Sequence, residues 1–285
     1  MSFSSDVKKE VGKLNNLAKK QQIENELIGY LISSNTSKID NKKIKFSTES
    51  DYNINRISKI LSNLDIEHNI EMKGKWFVIT IPKNNLEWIF EKIENKNSIL
   101  KQESEEDFKA IIRGAFLGSG SINNPENKYH LEITLSNKDN MEFIKNLISK
   151  FEIKVKSLDN SMIYIKEGEE ISKFLALIGA SNAVMKFEDI RVSREMRGKV
   201  NRLVNCETAN LNKTLNASVI EIEAIEKLKK EKRFNKLDDK LKEMANLRLQ
   251  NPDISLVELG KLTKPPVGKS GVHYRLKKIV EIANE

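Results

Sequence analysis

Two apolar segments with a glycine in mid-run constrain this chain more than anything else in it. One of them, Ala110 to Ser121, reads Ala-Ile-Ile-Arg-Gly-Ala-Phe-Leu-Gly-Ser-Gly-Ser, and Arg113 is its only charge. A glycine inside a helix, here Gly114, costs roughly 1 kcal/mol against alanine. A helix accepts that cost where another backbone must approach closely, so the segment reads as one half of a tight helix pair. Glu26 to Ser33 offers the other half, with Gly29 answering Gly114 and Ser34 answering Ser119. Either segment alone would also suit an ordinary buried helix ended by a glycine cap. The remainder of the chain decides between the two readings.

The same series of elements comes after each segment. Val7, Val11 and Leu14 open an amphipathic helix ahead of the first one. After it, Lys43 to Thr48 alternates as a strand, and Ile54, Ile57, Ile60, Leu61 and Leu64 have helical spacing. Strands are expected at Ile66 to Met72 and Trp76 to Ile81 around Gly74, then a helix on Leu86, Ile89, Phe90 and Ile93. In the second half the strands are Tyr129 to Leu135, Ile153 to Leu158 and Met162 to Ile165, with a turn at Asp159-Asn160. Its helices carry Met141, Ile144, Leu147, Ile148 and Phe151, then Ile171, Phe174, Leu175 and Ile178. Phe46 maps to Ile133 and Leu64 to Phe151, both 87 residues on, while Ile89 maps to Phe174 and Ile93 to Ile178, both 85 on.

The glycine-bearing helices and this order of elements resemble the LAGLIDADG homing endonucleases. The resemblance implies an α+β fold, a pseudo-two-fold saddle of two αββαββα halves with the two signature helices at the seam. In that family the helices end in acids that hold metal over DNA. Aligning Ile112 to Gly120 with the nine-letter motif puts its aspartate positions on Leu117 and Ser119. Ser34 and Ser119 therefore stand at the degenerate acid positions, and a neutral hydroxyl alone is a poor ligand for a hard cation. Glu103, Glu105, Glu106 and Asp107 lie at the start of the second signature helix, the wrong end, where they suit the helix dipole. Glu49 and Glu132 lie on expected strands and could face either way. No catalytic residue and no metal ligand is assigned.

Composition narrows the classes further. Apolar residues make up 39% of the 285, enough for a sizeable core, and no run approaches the length of a membrane span. There is no signal-peptide apolar region. The single cysteine, Cys206, excludes a disulfide, and His68, His130 and His273 have no ligand spacing. A cytoplasmic, soluble protein with no cofactor, no membrane contact and no small-molecule substrate is expected. The net charge of +8 is uneven: residues 188–285 hold 21 Lys and Arg against 15 acids. Lys261 to Lys278 contains six cations and no acid, a patch that fits phosphate contact. A lysine-rich solvated face would have the same composition.

Between the halves and that basic end lies a helical stretch, Ser193 to Lys230. Asn201, Asn205, Thr208, Asn212 and Asn216 form one polar stripe along it, with Val200, Val204, Leu211, Leu215 and Ile222 beside it. Asn is a mediocre helix former, so the stripe suggests contacts made by Arg197, Arg202, Asn201, Asn205 and Asn212, either with the saddle or with nucleic acid. An exposed, Asn-rich face is the plainer alternative. The run Asn201-Arg-Leu-Val-Asn-Cys-Glu-Thr-Ala-Asn-Leu-Asn-Lys-Thr214, the opening Met1-Ser-Phe-Ser-Ser-Asp-Val-Lys-Lys-Glu10 and Tyr129-His-Leu-Glu-Ile133 resemble the WhiA family of bacterial regulators. That resemblance covers the whole chain. It implies a degenerate LAGLIDADG domain joined to a C-terminal helix-turn-helix similar to the promoter-reading region of sigma factors.

The last segment fits such a module. Leu237, Leu241, Met244, Ala245, Leu247 and Leu249 mark a helix ending near Asn251-Pro252. Ser255 and Glu258 form a capping box, Leu256, Leu259 and Leu262 line one face, and Gly260 allows a close crossing. Thr263-Lys-Pro-Pro266 breaks the chain with a turn that the Pro265-Pro266 pair lengthens. In Val267 to Ile279, Val267, Val272, Leu276 and Ile279 face inward, and Lys269, Ser270, His273, Tyr274 and Lys277 face outward, as in a recognition helix. Lys264, Lys269, Ser270, His273, Tyr274, Arg275, Lys277 and Lys278 are the expected DNA-binding residues.

The expected domains are 1–98 (first half with its leading helix), 99–185 (second half), 186–234 (connector) and 235–285 (helix-turn-helix). The expected function is a non-catalytic, nucleoid-associated regulator that binds double-stranded DNA. The WhiA resemblance implies roles in transcription, cell division, chromosome segregation and, in some bacteria, sporulation, with transcription or cell-division proteins as further partners. Two other readings stay open: an interaction scaffold that regulates division with DNA binding secondary, and a residual metal-dependent endonuclease.

Overall fold

A computed structural model describes residues 2–39, 43–96, 99 and 104–285, in two compact units, Met1–Glu195 and Met196–Glu285. The first unit contains helices α1 (Phe3–Gly12), α2 (Lys20–Ile32), α3 (Asp51–Asn63), α4 (Glu87–Glu94), α5 (Glu105–Ser119), α6 (Lys138–Ser149) and α7 (Gly168–Leu177). Its strands are β1 (Thr36–Ile39), β2 (Lys43–Thr48), β3 (Asn69–Lys73), β4 (Trp76–Pro82), β5 (Gly120–Ile122), β6 (Leu131–Thr134), β7 (Lys156–Leu158) and β8 (Met162–Ile165). The two antiparallel sheets have matching orders, β1-β2-β4-β3 and β5-β6-β8-β7. The internal repeat is therefore a repeat of topology, and the unit is the LAGLIDADG-like α+β fold.

Helices α2 and α5 form the centre. All ten residues from Ile23 to Ile32 are buried, so beyond its first turn α2 has no solvent face. The glycines set the approach. A Cβ on Gly29 would lie 2.6 Å from the Ala115 nitrogen and 2.8 Å from the Gly114 Cα, and one on Gly114 would overlap the Glu26 carbonyl. Glu26 is buried between these helices and accepts from two guanidinium groups. Arg56 of α3 grips both its oxygens, with Nη2 at 2.8 Å from Oε2, and Arg113 reaches Oε2 at 3.3 Å. The second arm of Arg56 ties down Leu14 O at 2.9 Å, and Arg113 Nε donates to Ile178 O at 3.0 Å. Burial works against the charge on Arg56, but the hydrogen bonds and charge of Glu26 outweigh it and raise its pKa. Burial dominates at Arg113 and lowers its pKa despite Glu26.

Several strands begin later than their apolar patterns suggest, and the reason repeats. Asp65 and Glu152 end their helices in the left-handed region, at φ 55° and 57°. Ile66 and Ile153 are then buried as anchors in the loop, and the ladders start only at Asn69 and Lys156. β6 likewise spans Leu131–Thr134 rather than Tyr129 to Leu135. Leu14 lies beyond α1, partly buried against the core. Glu103 and much of the expected boundary between the halves, around residue 98, fall outside the described residues.

Helix α8 (Ser181–Lys230) runs for 50 residues, starting earlier than the connector pattern implies. Glu10 of α1 caps its start, accepting from the Asn182 and Ala183 nitrogens at 2.7 and 3.0 Å.

Gly114→Ala should lower the stability of the first unit by about 3 kcal/mol through overpacking. Glu26→Gln should cost about 3–5 kcal/mol, because it leaves two buried guanidinium groups with no anion. Urea unfolding followed by tryptophan fluorescence reads this unit selectively, since Trp76 and Trp88 both lie in it. Midpoints equal to the parent chain would refute the role given to this seam.

Candidate nucleic-acid interface

At the base of the α2–α5 pair the hydroxyls hold the seam together. The Ser34 backbone N–H and the Ser119 hydroxyl both donate to the Thr134 carbonyl, the former at 3.0 Å. Asn35 Nδ2 donates to Gly118 O at 2.6 Å, and Asn53 Nδ2 to Leu117 O at 2.7 Å. Ser33, next to the expected Ser34, packs where a Cβ on Gly118 would be and donates to Tyr30 O at 2.7 Å. The two expected strand acids are engaged elsewhere. Glu49 pairs with Lys75 at 2.8 Å, and Glu132 with His130 at 2.9 Å. Among the described residues no group of three or more His, Cys, Asp or Glu side chains could hold a metal ion. The seam as built offers hydrogen bonds between neutral groups.

The basic end is built differently. In the second unit α8 is followed by α9 (Asp239–Gln250), α10 (Leu256–Lys261) and α11 (Lys269–Asn284). Asp238 caps α9 through the Leu241 nitrogen at 2.8 Å, and Ser255 and Glu258 form the expected capping box on α10. One core joins Leu241, Met244 and Ala245 of α9, Leu259 of α10, and Val272, Leu276 and Ile279 of α11. Ala224, Ile225 and Leu228 from the end of α8 complete it, a fourth helix that the sequence pattern does not reveal.

Gly260 is where α10 meets the turn. A Cβ there would overlap the Val267 carbonyl and lie 3.0 Å from Val272 Cγ2. Thr263 is buried beneath the turn, and its hydroxyl is shared between Gly260 O at 2.9 Å and Pro265 O at 3.0 Å. Leu262, expected to share one face with Leu256 and Leu259, is 47% exposed. Helix α10 is only six residues long and stops at Lys261, so Leu262 falls at the cap, off the buried face. Val267 is partly buried as expected but precedes α11, whose N-cap is Gly268.

The outward row on α11 is present. Lys269, Ser270, His273, Tyr274, Lys277 and Lys278 are exposed, as is Lys264 in the turn. Lys278 lies 6.0 Å over the Tyr274 ring, and Lys277 is 3.7 Å from Glu281. Arg275 differs from the rest: it is half-buried and turned towards Glu243 of α9, at 3.9 Å. Glu243 also accepts from the Lys264 nitrogen at 2.9 Å, so one carboxylate fixes both the turn and the helix behind it.

Beneath the site Arg248 is fully buried and ion-paired with Glu221 of α8 at 2.8 Å. It also donates to Ile254 O at 3.0 Å, fixing the approach to α10. Burial pushes the Glu221 carboxyl above its ordinary value, while Arg248 and His273 pull it down. Sequence reasoning passes over this pair, although Arg248 continues the buried stripe of Leu241, Met244 and Ala245. A cation on an apolar stripe is the signal for a buried partner. The connector residues Asn201, Arg202, Asn205 and Asn212 are exposed, as is Arg197. So are the neighbouring Val200, Val204 and Leu211.

Comparison with known proteins agrees with both units. The family model for the WhiA LAGLIDADG-like domain matches residues 33–106 and 108–197, and that for the WhiA C-terminal HTH domain matches 200–283. The probable cell division protein WhiA of Clostridium tetani is 40% identical over the whole of this chain and 98% of its own. Its counterpart in Clostridium acetobutylicum is 39% identical with the same coverage. The crystal structure of full-length DUF199/WhiA from Thermatoga maritima is similar with a TM-score of 0.60 at 28% identity, covering 100% of this chain and 98% of that one. That of the N-terminal LAGLIDADG domain of DUF199/WhiA has a TM-score of 0.50 at 23% identity, covering 62% and 92%.

Gly260→Ala should destabilise the second unit by about 1–3 kcal/mol. Amide hydrogen exchange should speed up in α10 and α11, with the tryptophan unfolding transition of the first unit unmoved. Unchanged exchange would show that the turn has room to spare.

Proposed function

The chain belongs to the WhiA family, and from that premise we propose that it is a non-catalytic DNA-binding regulator of cell division. The observation that carries the proposal is the α11 face. Lys269, Ser270, His273, Tyr274 and Lys277 are exposed on a helix whose opposite side, Val272, Leu276 and Ile279, is buried. A rigid helix with hydroxyl, aromatic and cationic groups on its free side suits the major groove. Lys264 and Lys278 extend the positive charge to the flanks, where phosphates would run. Arg275 supports the helix from behind through Glu243 rather than joining that face. The relatives' names, probable cell division proteins, supply the link to division. Nucleoid association, chromosome segregation and sporulation-linked transcription are finer roles within the same reading.

The saddle acts in this proposal as a scaffold. Phosphodiester cleavage by such a fold needs carboxylates at the base of both signature helices to hold metal at the scissile phosphate. Here those positions carry Ser34 and Ser119, with the Ser34 backbone and the Ser119 hydroxyl bonded to Thr134. A protein partner is the second reading, favoured by the exposed apolar residues Met196, Val200, Leu203 and Val204 on α8.

Lys277→Ala should weaken binding to duplexes of any sequence. It should make the plot of log K against log salt shallower by roughly 0.9, the value for one lost phosphate contact. Fluorescence anisotropy over a salt series reads both effects, and an unchanged slope removes Lys277 from the interface. Supercoiled plasmid incubated with the purified chain and Mg²⁺ should stay intact; metal-dependent nicking would overturn the non-catalytic assignment.

A further inference from the structure

The second unit has a cleft of about 240 Å³ at the head of the recognition helix. Lys213 and Thr214 of α8 form one wall, Ser255 at the start of α10 another, and Arg248 and Lys269 complete it. Three cations line this cleft and no acid does. The charge of Arg248 is already met by Glu221. Lys213 and Lys269 are exposed and have no acidic partner among the described residues. Glu258 of α10 is committed to its own capping box, accepting from the Ser255 nitrogen and hydroxyl at 3.0 and 2.8 Å, and Asp253 is not among the residues that line the cleft. Two lysines 56 residues apart in sequence thus converge on a concave surface whose lining holds no acid. Like charges so placed repel unless an anion sits between them.

The position of the cleft identifies the anion. Lys269 belongs both to the cleft and to the outward row of α11. In a helix-turn-helix the recognition helix presents its first residues to the groove, and the helix before it crosses the backbone. A strand read by Ser270, His273 and Tyr274 would carry its phosphates past Lys269 and the cleft that it lines. Lysines are ordinary phosphate contacts that set register on a duplex.

We infer that this cleft seats one DNA backbone phosphate, held jointly by Lys213 and Lys269, so that the long helix α8 itself contributes a DNA contact. The inference rests on the DNA-binding reading of α11. It gives the basic and Asn-rich stretch of α8 a place at the interface through Lys213, a residue outside the recognition helix.

The test is a salt series of anisotropy titrations with the full chain and two fluorescein-labelled duplexes of unrelated sequence. Lys213→Gln should make the salt slope shallower by roughly 0.9 on both duplexes, with Lys213→Arg close to the parent. The double variant Lys213→Gln/Lys269→Gln should lose no more slope than either single one, because both lysines serve one phosphate. Lys213 is exposed, so circular dichroism should show the fold intact. A parent chain that binds neither duplex sinks the DNA-binding reading itself. A parent that binds while Lys213→Gln keeps the full slope overturns the phosphate seat and leaves that reading standing. Calorimetry with inorganic phosphate separates the remaining source: phosphate bound by the parent and lost in Lys213→Gln, with the duplex slope unchanged, would make this a free-anion site and refute the inference.

Discussion

The contact between Gly29 and Gly114 is the constraint on which the first unit depends. It lets two backbones meet where any Cβ would collide, and that closeness puts Glu26 within reach of arginines from both halves. The pairing has a second consequence. Arg56 and Arg113 spend their remaining donors on Leu14 O and Ile178 O, so the chain entering α2 and the chain leaving α7 are fixed to the same buried carboxylate. An ion cluster of this kind is seldom a net source of stability, since desolvation opposes it. Its value here is positional: the apolar surfaces of α2 and α5 could slide by a turn, but the carboxylate has one place where both guanidinium groups meet it.

A helix pair this tight leaves little at its base for chemistry. Ser34, Asn35, Asn53 and Ser119 are all drawn into hydrogen bonds across or beside the seam. Neutral groups can share carbonyls in that way, whereas two carboxylates at the same distance would repel unless a cation lay between them. The hydroxyl and amide groups found here therefore suit a seam that holds itself together. The second unit differs at its surface. Its buried polar groups, Arg248, Glu221 and Thr263, brace the turn and the start of α10, and its unpaired cations lie outside. Both units lock their interiors with buried charge, and the second also carries a row of exposed cations on α11.

Much of this was legible from residues in order along the chain. Interior glycines marked the close helices, and the steady spacing of apolar residues marked the repeat. Ser255, Glu258 and Gly260 marked the second helix of the basic module and its close crossing. Other features had no local mark. β1 and β5 are short strands of four and three residues that show no usable alternation. Arg275 sits among outward cations in sequence, yet Glu243, which turns it inward, is 32 residues away.

What the sequence by itself determined is set by period and by backbone freedom: which segments are helices or strands, which faces are apolar, where two backbones must touch, and that acids are missing from the ends of α2 and α5. These depend on neighbours within a turn or a strand, so a linear reading reaches them. Only the tertiary structure decided which charges meet. Glu26 with Arg56 and Arg113, Arg248 with Glu221, Lys213 beside Lys269, and the end of α8 inside the helix-turn-helix core are all products of chain crossings. Electrostatic pairing falls off with distance in space and is blind to distance in sequence, and so the partners could be found only once the fold had brought them together.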